Sequence, residues 1–300
     1  MSLFIFNFHY LRPKDKKEGF NAFDLEKFDN ILDDLPNKLL TYDLFKKGGI
    51  DSLIRDSDKH FIITFDDGLQ EQYHYSFNQI NKKKVIALYF VPTFFYKNKK
   101  TLKVHMIHKL LADFGSQKLL TEINNIINSR DLELIKNKAS KRYKYGDIYE
   151  KICKFIFNYY LKNLEANDLI DNLSTKLFGK EFSKSYSKSL YMNKDSLKEI
   201  SDSGMLGLHS HDHIDYGKLK VDEIKYDLNK SLEISSKMQL KANKYFAYPF
   251  GSKLSFPKKA QNIIKEKSFL FAFTTVRGEV TKTYNNYAIP RFDANDYILN

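Results

Sequence analysis

The sequence predicts an α/β fold, a barrel of parallel strands and helices that is interrupted by a helical insertion. Apolar runs of strand-forming residues alternate with segments of helical periodicity at both ends of the 300-residue chain, whereas residues 97–190 show helical periodicity only. With 42% hydrophobic and 15% aromatic residues, the chain can bury a substantial core. We therefore expect one discontinuous domain, 1–300, in which 1–96 and 191–300 form the barrel and 97–190 the insertion.

The N-terminal part of the barrel begins with a predicted β-α-β unit. Residues 3–8 are the first strand candidate. A second strand at 61–65 is followed by apolar residues at helical spacing between 69 and 80, and then by a third strand at 85–91, which Pro92 stops. Strand, turn, helix and strand in this order are typical of parallel pairing.

The same alternation resumes after the insertion. A helix over 194–203 ends at Gly204 and leads to a short strand at 205–208. The elements predicted beyond it are a helix at 221–239, a strand at 245–248, a helix at 257–267, a strand at 269–274 and an apolar stretch at 287–289. This pattern favours one barrel with an inserted helical segment over two sequential domains.

Cysteine content and hydropathy exclude two classes of protein. The single cysteine, Cys153, cannot form an intrachain disulfide, which excludes a disulfide-dependent secreted domain. The N-terminus has neither the basic segment nor the small-residue cleavage site of a signal peptide. The longest apolar run, 85–96, is too short to span a bilayer and contains Pro92. We therefore expect a cytoplasmic protein without a transmembrane segment.

The net charge of +12 is concentrated in the insertion. Residues 97–190 contain 19 Lys and Arg against 10 Asp and Glu. An anionic partner would approach there, although a solvated Lys-rich helical surface is the ordinary explanation of such a charge excess. Nucleic acid is not an expected partner, because no recognisable binding motif accompanies the charge.

Two groups of polar residues directly follow predicted strands. Asp66 and Asp67 follow one, and His209 and His213 follow another. In a parallel barrel the carboxyl ends of the strands meet at one rim, so we expect these side chains to lie close together. Two histidines four residues apart and one of the carboxylates form a ligand set for a divalent ion. The ordinary alternative for either aspartate is a helix cap.

Three motifs carry a resemblance to a known family. Residues 64–68 (Thr-Phe-Asp-Asp-Gly), 207–213 (Gly-Leu-His-Ser-His-Asp-His) and 246–251 (Phe-Ala-Tyr-Pro-Phe-Gly) resemble, in this order, the first three motifs of the polysaccharide deacetylases. This family is the NodB homology domain, carbohydrate esterase family 4. The resemblance covers roughly 1–96 and 191–293. It implies a distorted (β/α)7-8 barrel of NodB-homology type and a hydrolase of non-peptide carbon–nitrogen bonds, a sugar N-deacetylase (EC 3.5.1.-).

The resemblance also implies residue roles. Asp67, His209 and His213 would bind the metal, expected to be zinc with cobalt, nickel or iron as substitutes. Asp66 would be the general base that takes a proton from the attacking water, which the metal activates. The backbone N–H of Phe250 would stabilise the oxyanion that forms on the acetyl carbonyl.

The chain departs from the family pattern at two positions. The third motif has Ala247 where the family has arginine, and no histidine follows His213 to supply the general acid of the C-terminal motif. We expect Arg291 to orient Asp66 in place of the missing arginine. A surface arginine in a C-terminal segment is the alternative interpretation.

Either the general acid is missing or it comes from one of the other histidines, which are His9, His60, His74, His105 and His108. We favour His9, because it follows the first strand as the family's acid follows its own, and some family members are circularly permuted so that this strand comes first. His105 and His108, three residues apart on one helical face of the insertion, are alternative sources. A structural role is the ordinary alternative for each.

These inferences predict a cytoplasmic, metal-dependent hydrolase that removes N-acetyl groups from an amino sugar or glycan precursor. A nucleotide-linked or lipid-linked precursor fits the absence of an export signal, and the basic insertion would suit its phosphate groups. The alternative is a catalytically weak, metal-retaining carbohydrate-binding relative, which Ala247 and the missing histidine suggest. Asp66 argues against it, because a protein that only binds sugar has no need of a general base.

Overall fold

The computed structural model describes residues 2–13, 22–242 and 244–296. Residues 14–21 and 297–300, which fall in the predicted barrel segments, lie outside the described part. The chain forms two compact units. One unit contains the described residues 2–13, Phe23–Lys99 and those from Lys188 onward. The other contains Lys100–Ser187. That both serve one deacetylase domain stays a prediction.

The first unit is built on a seven-stranded parallel sheet with the strand order β8-β7-β6-β5-β4-β1-β9, and β2 and β3 form a separate pair. The strands are β1 Ser2–Phe8, β2 Leu11–Arg12, β3 Phe23–Asp24, β4 Lys59–Phe65, β5 Ala87–Val91, β6 Leu206–Leu208, β7 Tyr245–Ala247, β8 Phe271–Phe273 and β9 Phe292–Asp293. Their order confirms the predicted α/β fold with a parallel sheet.

The central strands are apolar on both faces, as expected of a parallel sheet covered by helices. All residues of β5 and the last four of both β1 and β4 are buried. Strands β1 and β4 pair in parallel, with Phe8 opposite Phe65. The residues that follow, His9 and Asp66, therefore leave the sheet side by side at its carboxyl edge.

One C-terminal segment connects the two ends of the sheet. Ile289 forms a parallel bridge with Phe273 of β8, and three residues later Phe292 of β9 pairs with Phe6 of β1. The chain between these contacts therefore joins β8 to β1 and curls the sheet. This connection confirms the barrel-type architecture and carries Arg291 into its interior.

Helices connect the strands of the first unit and make up the second. They are α1 Leu25–Asp34, α2 Lys38–Arg55, α3 Gln70–Gln72, α4 Asn78–Lys83, α5 Phe94–Asn98, α6 Lys103–Phe114, α7 Ser116–Ile123, α8 Leu132–Arg142, α9 Ile148–Phe155, α10 Asn163–Phe178, α11 Phe182–Leu190, α12 Lys194–Asp202, α13 Val221–Lys237 and α14 Lys258–Glu266. A π-helical turn, Tyr73–Phe77, joins α3 to α4. No helix in the described part of the chain is long and apolar enough to cross a membrane.

The second unit has its own apolar core, which includes Ile107, Leu110, Ile123 and Phe157. Every regular element among its described residues is helical. Helix α9 passes into a π-helical turn, and the chain becomes extended at Leu161 before α10 begins. Apolar residues continue through this break without glycine or proline, so the sequence carries no stop signal there.

Candidate active site

Three polar side chains from two neighbouring loops form a compact group at the carboxyl edge of the sheet. Asp67 follows β4, and His209 and His213 follow β6. The His213 Nε2 and His209 Nε2 atoms lie 3.3 and 3.6 Å from the same Asp67 oxygen, Oδ1, and one ligand atom from each residue lies within 4.8 Å of the others. All three side chains are less than a tenth exposed. The structure thus brings the three predicted metal ligands together.

The protonation of His209 is fixed by its surroundings. Its Nδ1 lies 2.8 Å from the carbonyl oxygen of Ala247, and because a carbonyl only accepts hydrogen bonds, Nδ1 must carry the proton. Burial lowers the pKa of His209 to about 4, so the ring is neutral near pH 7 and Nε2 presents a lone pair towards Asp67. A nitrogen lone pair facing a carboxylate oxygen is favourable when a cation lies between them, so the residues fit a divalent metal ion.

The backbone around these ligands adopts unusual conformations. Asp67, Ser210 and His213 have φ values of +81°, +64° and +51°, in the left-handed region that non-glycine residues rarely adopt. The Ser210 hydroxyl accepts a hydrogen bond from the backbone N–H of His213 at 2.9 Å. Such conformations persist only where surrounding contacts hold them, and they concentrate at functional sites.

The third histidine of the motif points elsewhere. The Nδ1 atom of His211 lies 2.9 Å from the hydroxyl oxygen of Thr93, and its Nε2 lies 3.4 Å from Asp212 Oδ1. Burial lowers the pKa of His211 to about 4. His211 is therefore a neutral, hydrogen-bonded residue beside the ligand group and not a member of it.

Asp66 lies next to the ligand group and is paired with Arg291. The guanidinium donates from Nη1 to Oδ1 at 2.8 Å and from Nη2 to Oδ2 at 2.7 Å, and both residues are 1% exposed. Burial alone would raise the pKa of Asp66, but the charge of Arg291, its hydrogen bonds to the carboxylate and the neighbouring histidines together outweigh burial and hold the pKa below the ordinary value. Asp66 is therefore a buried, ionised carboxylate.

Arg291 is held by further contacts that span the sheet. Nη1 also donates to Asn7 Oδ1 at 2.9 Å and to Thr64 Oγ1 at 3.0 Å, and Nε donates to the carbonyl oxygen of Thr274 at 2.8 Å. These partners belong to β1, β4 and the end of β8. The arginine predicted from its late position in the chain thus reaches the carboxylate through the barrel interior.

His9 lies on the solvent side of the same carboxylate. Its Nε2 is 4.0 Å from Asp66 Oδ2, and its side chain is 42% exposed. The alternative histidines lie in α6 of the second unit, where His105 is buried and its ring centroid lies 6.3 Å from that of His108. The structure therefore places His9 beside Asp66.

Phe250 lies in the turn after β7. It has a φ of +62°, its carbonyl oxygen accepts a hydrogen bond from Thr275 Oγ1 at 2.9 Å, and its ring centroid is 5.3 Å from that of His213. The turn is therefore fixed next to the ligand group.

The sequence interpretation missed Gln72, a fully buried residue in α3. Its Nε2 donates to the carbonyl oxygens of His9 at 2.8 Å and Asp66 at 2.5 Å, and its Oε1 accepts from the backbone N–H of Leu69 at 3.0 Å. One side-chain amide thus connects the two segments that carry the candidate acid and base. A glutamine at the start of a helix gives no local signal of this contact. Asp227 of α13, which contacts the histidine turn, was missed for the same reason.

Comparisons with known proteins extend this picture. The polysaccharide deacetylase family profile matches residues 175–270, and no protein of curated function matches the sequence. Among solved structures, the chain is similar to the Streptococcus pyogenes deacetylase PplD in complex with acetate, with 12% identity, a TM-score of 0.54 and coverage of 98% of this chain and 92% of that one. IcaB from Ammonifex degensii gives 15% identity, a TM-score of 0.50 and coverage of 98% and 91%. The BpsB deacetylase domain from Bordetella bronchiseptica gives 14% identity, a TM-score of 0.50 and coverage of 97% of this chain and 95% of that one.

At these identities the structural similarities show the fold, and the family match adds the segment that includes the histidine motif and the turn after β7. The resemblance predicted from the motifs is therefore confirmed: residues 175–270 match the polysaccharide deacetylase family profile, and the chain shares the fold of solved deacetylases.

Proposed function

We propose that this protein is a metal-dependent N-deacetylase of an amino sugar or glycan precursor. The observation that carries the proposal is the pairing of two neighbouring carboxylates with different partners. Asp67 faces two histidines, whereas Asp66 is held ionised by Arg291. The two environments suit one carboxylate for metal binding and the other for proton transfer.

Asp67, His209 and His213 would hold the ion. Two neutral imidazoles and a carboxylate suit zinc, with cobalt, nickel or iron as substitutes. A bound divalent ion would acidify water and polarise the acetyl carbonyl. The carbonyl oxygen of Ala247 supports this ligand set, because its hydrogen bond fixes the tautomer and orientation of His209.

Asp66 would accept the proton from the attacking water as the water oxygen bonds to the acetyl carbon. Its ionised state suits a base, and the bidentate contact with Arg291 fixes its orientation. The backbone N–H of Phe250 would donate to the oxygen that gains negative charge.

His9 would supply the second proton. When the carbon–nitrogen bond breaks, the leaving sugar nitrogen needs a proton, and an exposed histidine 4.0 Å from the base lies on the side from which a substrate can approach. The products are acetate and an amino sugar. Arg291 would contact neither the acetyl carbon nor the sugar nitrogen and would act through Asp66.

The proposed substrate is a phosphate-bearing precursor, nucleotide-linked or lipid-linked. Residues 97–190 contain 19 basic and 10 acidic residues. This excess of positive charge supports a phosphate-bearing substrate, because clustered positive charge raises the local concentration of anionic substrates. Neutralising the exposed lysines of this segment should raise KM for phosphorylated N-acetyl sugars and leave KM for uncharged ones unchanged. An equal change in KM for both kinds of sugar would refute the proposal that the substrate carries phosphate.

The experiment that tests the function combines metal analysis with acetate release. Purified protein is assayed for bound metal and then incubated with nucleotide-linked, lipid-linked and oligomeric N-acetyl sugars. Acetate release that disappears after chelation and returns with zinc supports the proposal. Stoichiometric metal with no acetate from any substrate would instead favour the carbohydrate-binding alternative, which the Asp66 and Arg291 pair disfavours.

A further inference from the structure

A carboxylate outside the three motifs contacts the turn that carries the histidines. Asp227 of α13 is 4% exposed. Its Oδ1 accepts a hydrogen bond from the backbone N–H of His211 at 3.0 Å, and its Oδ2 accepts one from the backbone N–H of Asp212 at 2.9 Å. The hydroxyl of Tyr216 donates to Oδ1 at 2.7 Å. All three donors belong to the six residues 211–216.

The turn needs such support for two reasons. Ser210 and His213, which flank the contacted amides, both have positive φ values, and side chains other than glycine disfavour that region. The amide of His211 is also buried and that of Asp212 partly buried, and a buried N–H without an acceptor is costly. A carboxylate satisfies both amides at once, because it has two oxygens and no donor of its own.

We propose that Asp227 is the positioning residue that keeps the histidine turn in its metal-binding form. It acts on His209 and His213 through the backbone between them. The inference rests on the proposed function, because it assumes that the two histidines are metal ligands. Asparagine at this position would turn an NH₂ group towards one of the two amides, so Asp227→Asn should release one side of the turn.

The test is zinc affinity of the chelator-treated full chain, measured by competition with a zinc indicator. Asp227→Asn should bind Zn²⁺ about 10- to 100-fold more weakly than the unmodified chain, the usual effect of losing a residue that supports metal ligands. Asp222→Asn is the matched control, since Asp222 is an exposed aspartate on the same helix, and it should leave the affinity unchanged.

A second variant separates positioning from general stability. Tyr216→Phe removes a buried hydrogen bond to the same carboxylate but leaves both backbone contacts in place, so it should lower the melting temperature of the zinc-free protein without weakening zinc binding. Equal weakening by Tyr216→Phe and Asp227→Asn would overturn the inference, as would unchanged affinity in Asp227→Asn.

Hydrogen exchange of the unmodified chain keeps the inference testable if Asp227→Asn fails to fold. The amides of His211 and Asp212 should be protected in the zinc-free protein, and exchange at the rate of an open loop would overturn the inference. Absence of zinc binding in the unmodified chain would refute the proposed function instead, whereas binding that ignores Asp227 would refute only its positioning role.

Discussion

Arg291 and Asp66 meet through two parallel hydrogen bonds of 2.8 and 2.7 Å, although 225 positions separate them in the sequence. The contact is possible because the chain around Arg291 lies between β8 and β1 and closes the sheet. In the third motif, where the family has its arginine, this chain has Ala247, and its carbonyl oxygen instead orients His209. The guanidinium reaches Asp66 from the position directly before β9.

Replacing Arg291 by methionine should therefore damage both stability and turnover. The change leaves a buried carboxylate unpaired, which costs about 3–5 kcal/mol in the free energy of unfolding, and it removes the orientation of the base. Urea unfolding and acetate release measure the two effects. Arg55→Met, at an exposed position, should change stability by no more than about 0.5 kcal/mol.

The double variant Asp66→Asn/Arg291→Met provides the control for this pair. It contains no unpaired charge, so it should recover part of the stability that Arg291→Met loses, while turnover stays low because the base is absent. Equal stability of the two variants would show that Arg291 acts through Asn7, Thr64 and Thr274 and not through Asp66.

His9→Ala should lower kcat about 10²- to 10⁴-fold, the usual contribution of a general acid. Metal content should stay the same, because His9 lies beside Asp66 and outside the ligand group. His74→Ala, at an exposed position, is the matched control and should keep full turnover. Full activity of His9→Ala would remove His9 from the mechanism.

Much of the sheet could be predicted from sequence, because its strands are short apolar runs that end at turn residues. The paired strands β1 and β4 could be recognised in this way, and so could β5 with its five buried residues. The two-residue strand β9 could not, because its existence depends on β1 as a partner. Pairing of this kind is a property of the folded sheet and leaves no local pattern.

The site was predictable to the extent that its residues follow strands. Asp67 and His209 could be placed at one rim by the geometry of a parallel barrel alone. Gln72 and Asp227 lie on helices and act through backbone groups of distant loops. Polar residues of helices are usually solvated, so nothing in the sequence distinguishes these two from exposed ones.

Zinc should stabilise the protein through His209 and His213. With free zinc at 100 times its Kd, the unmodified chain should gain about 2.7 kcal/mol in the free energy of unfolding, and chelation should abolish acetate release. His209→Ala and His213→Ala should lose the zinc-dependent rise in melting temperature. His211→Ala should keep it, because the His211 ring contacts Thr93, and its loss there would mean that the ligand set is different.

Gln72→Leu should lower turnover without affecting metal binding. The variant keeps a similar volume but leaves the carbonyl oxygens of His9 and Asp66 without their shared donor, so we expect a loss of about 1–3 kcal/mol in stability. Because the amide no longer fixes the backbone at His9 relative to that at Asp66, kcat should fall while zinc affinity stays unchanged.

Gln79→Leu is the matched control for this variant, since Gln79 lies in the following helix α4 and its side-chain amide donates to the carbonyl oxygen of Tyr75, four residues earlier. It should keep the kcat of the unmodified chain. Gln72→Asn, which is one methylene shorter and cannot span the same three contacts, should resemble Gln72→Leu in kcat. Unchanged kcat in Gln72→Leu, measured on folded protein with a full complement of zinc, would show that the relative placement of His9 and Asp66 does not depend on this amide.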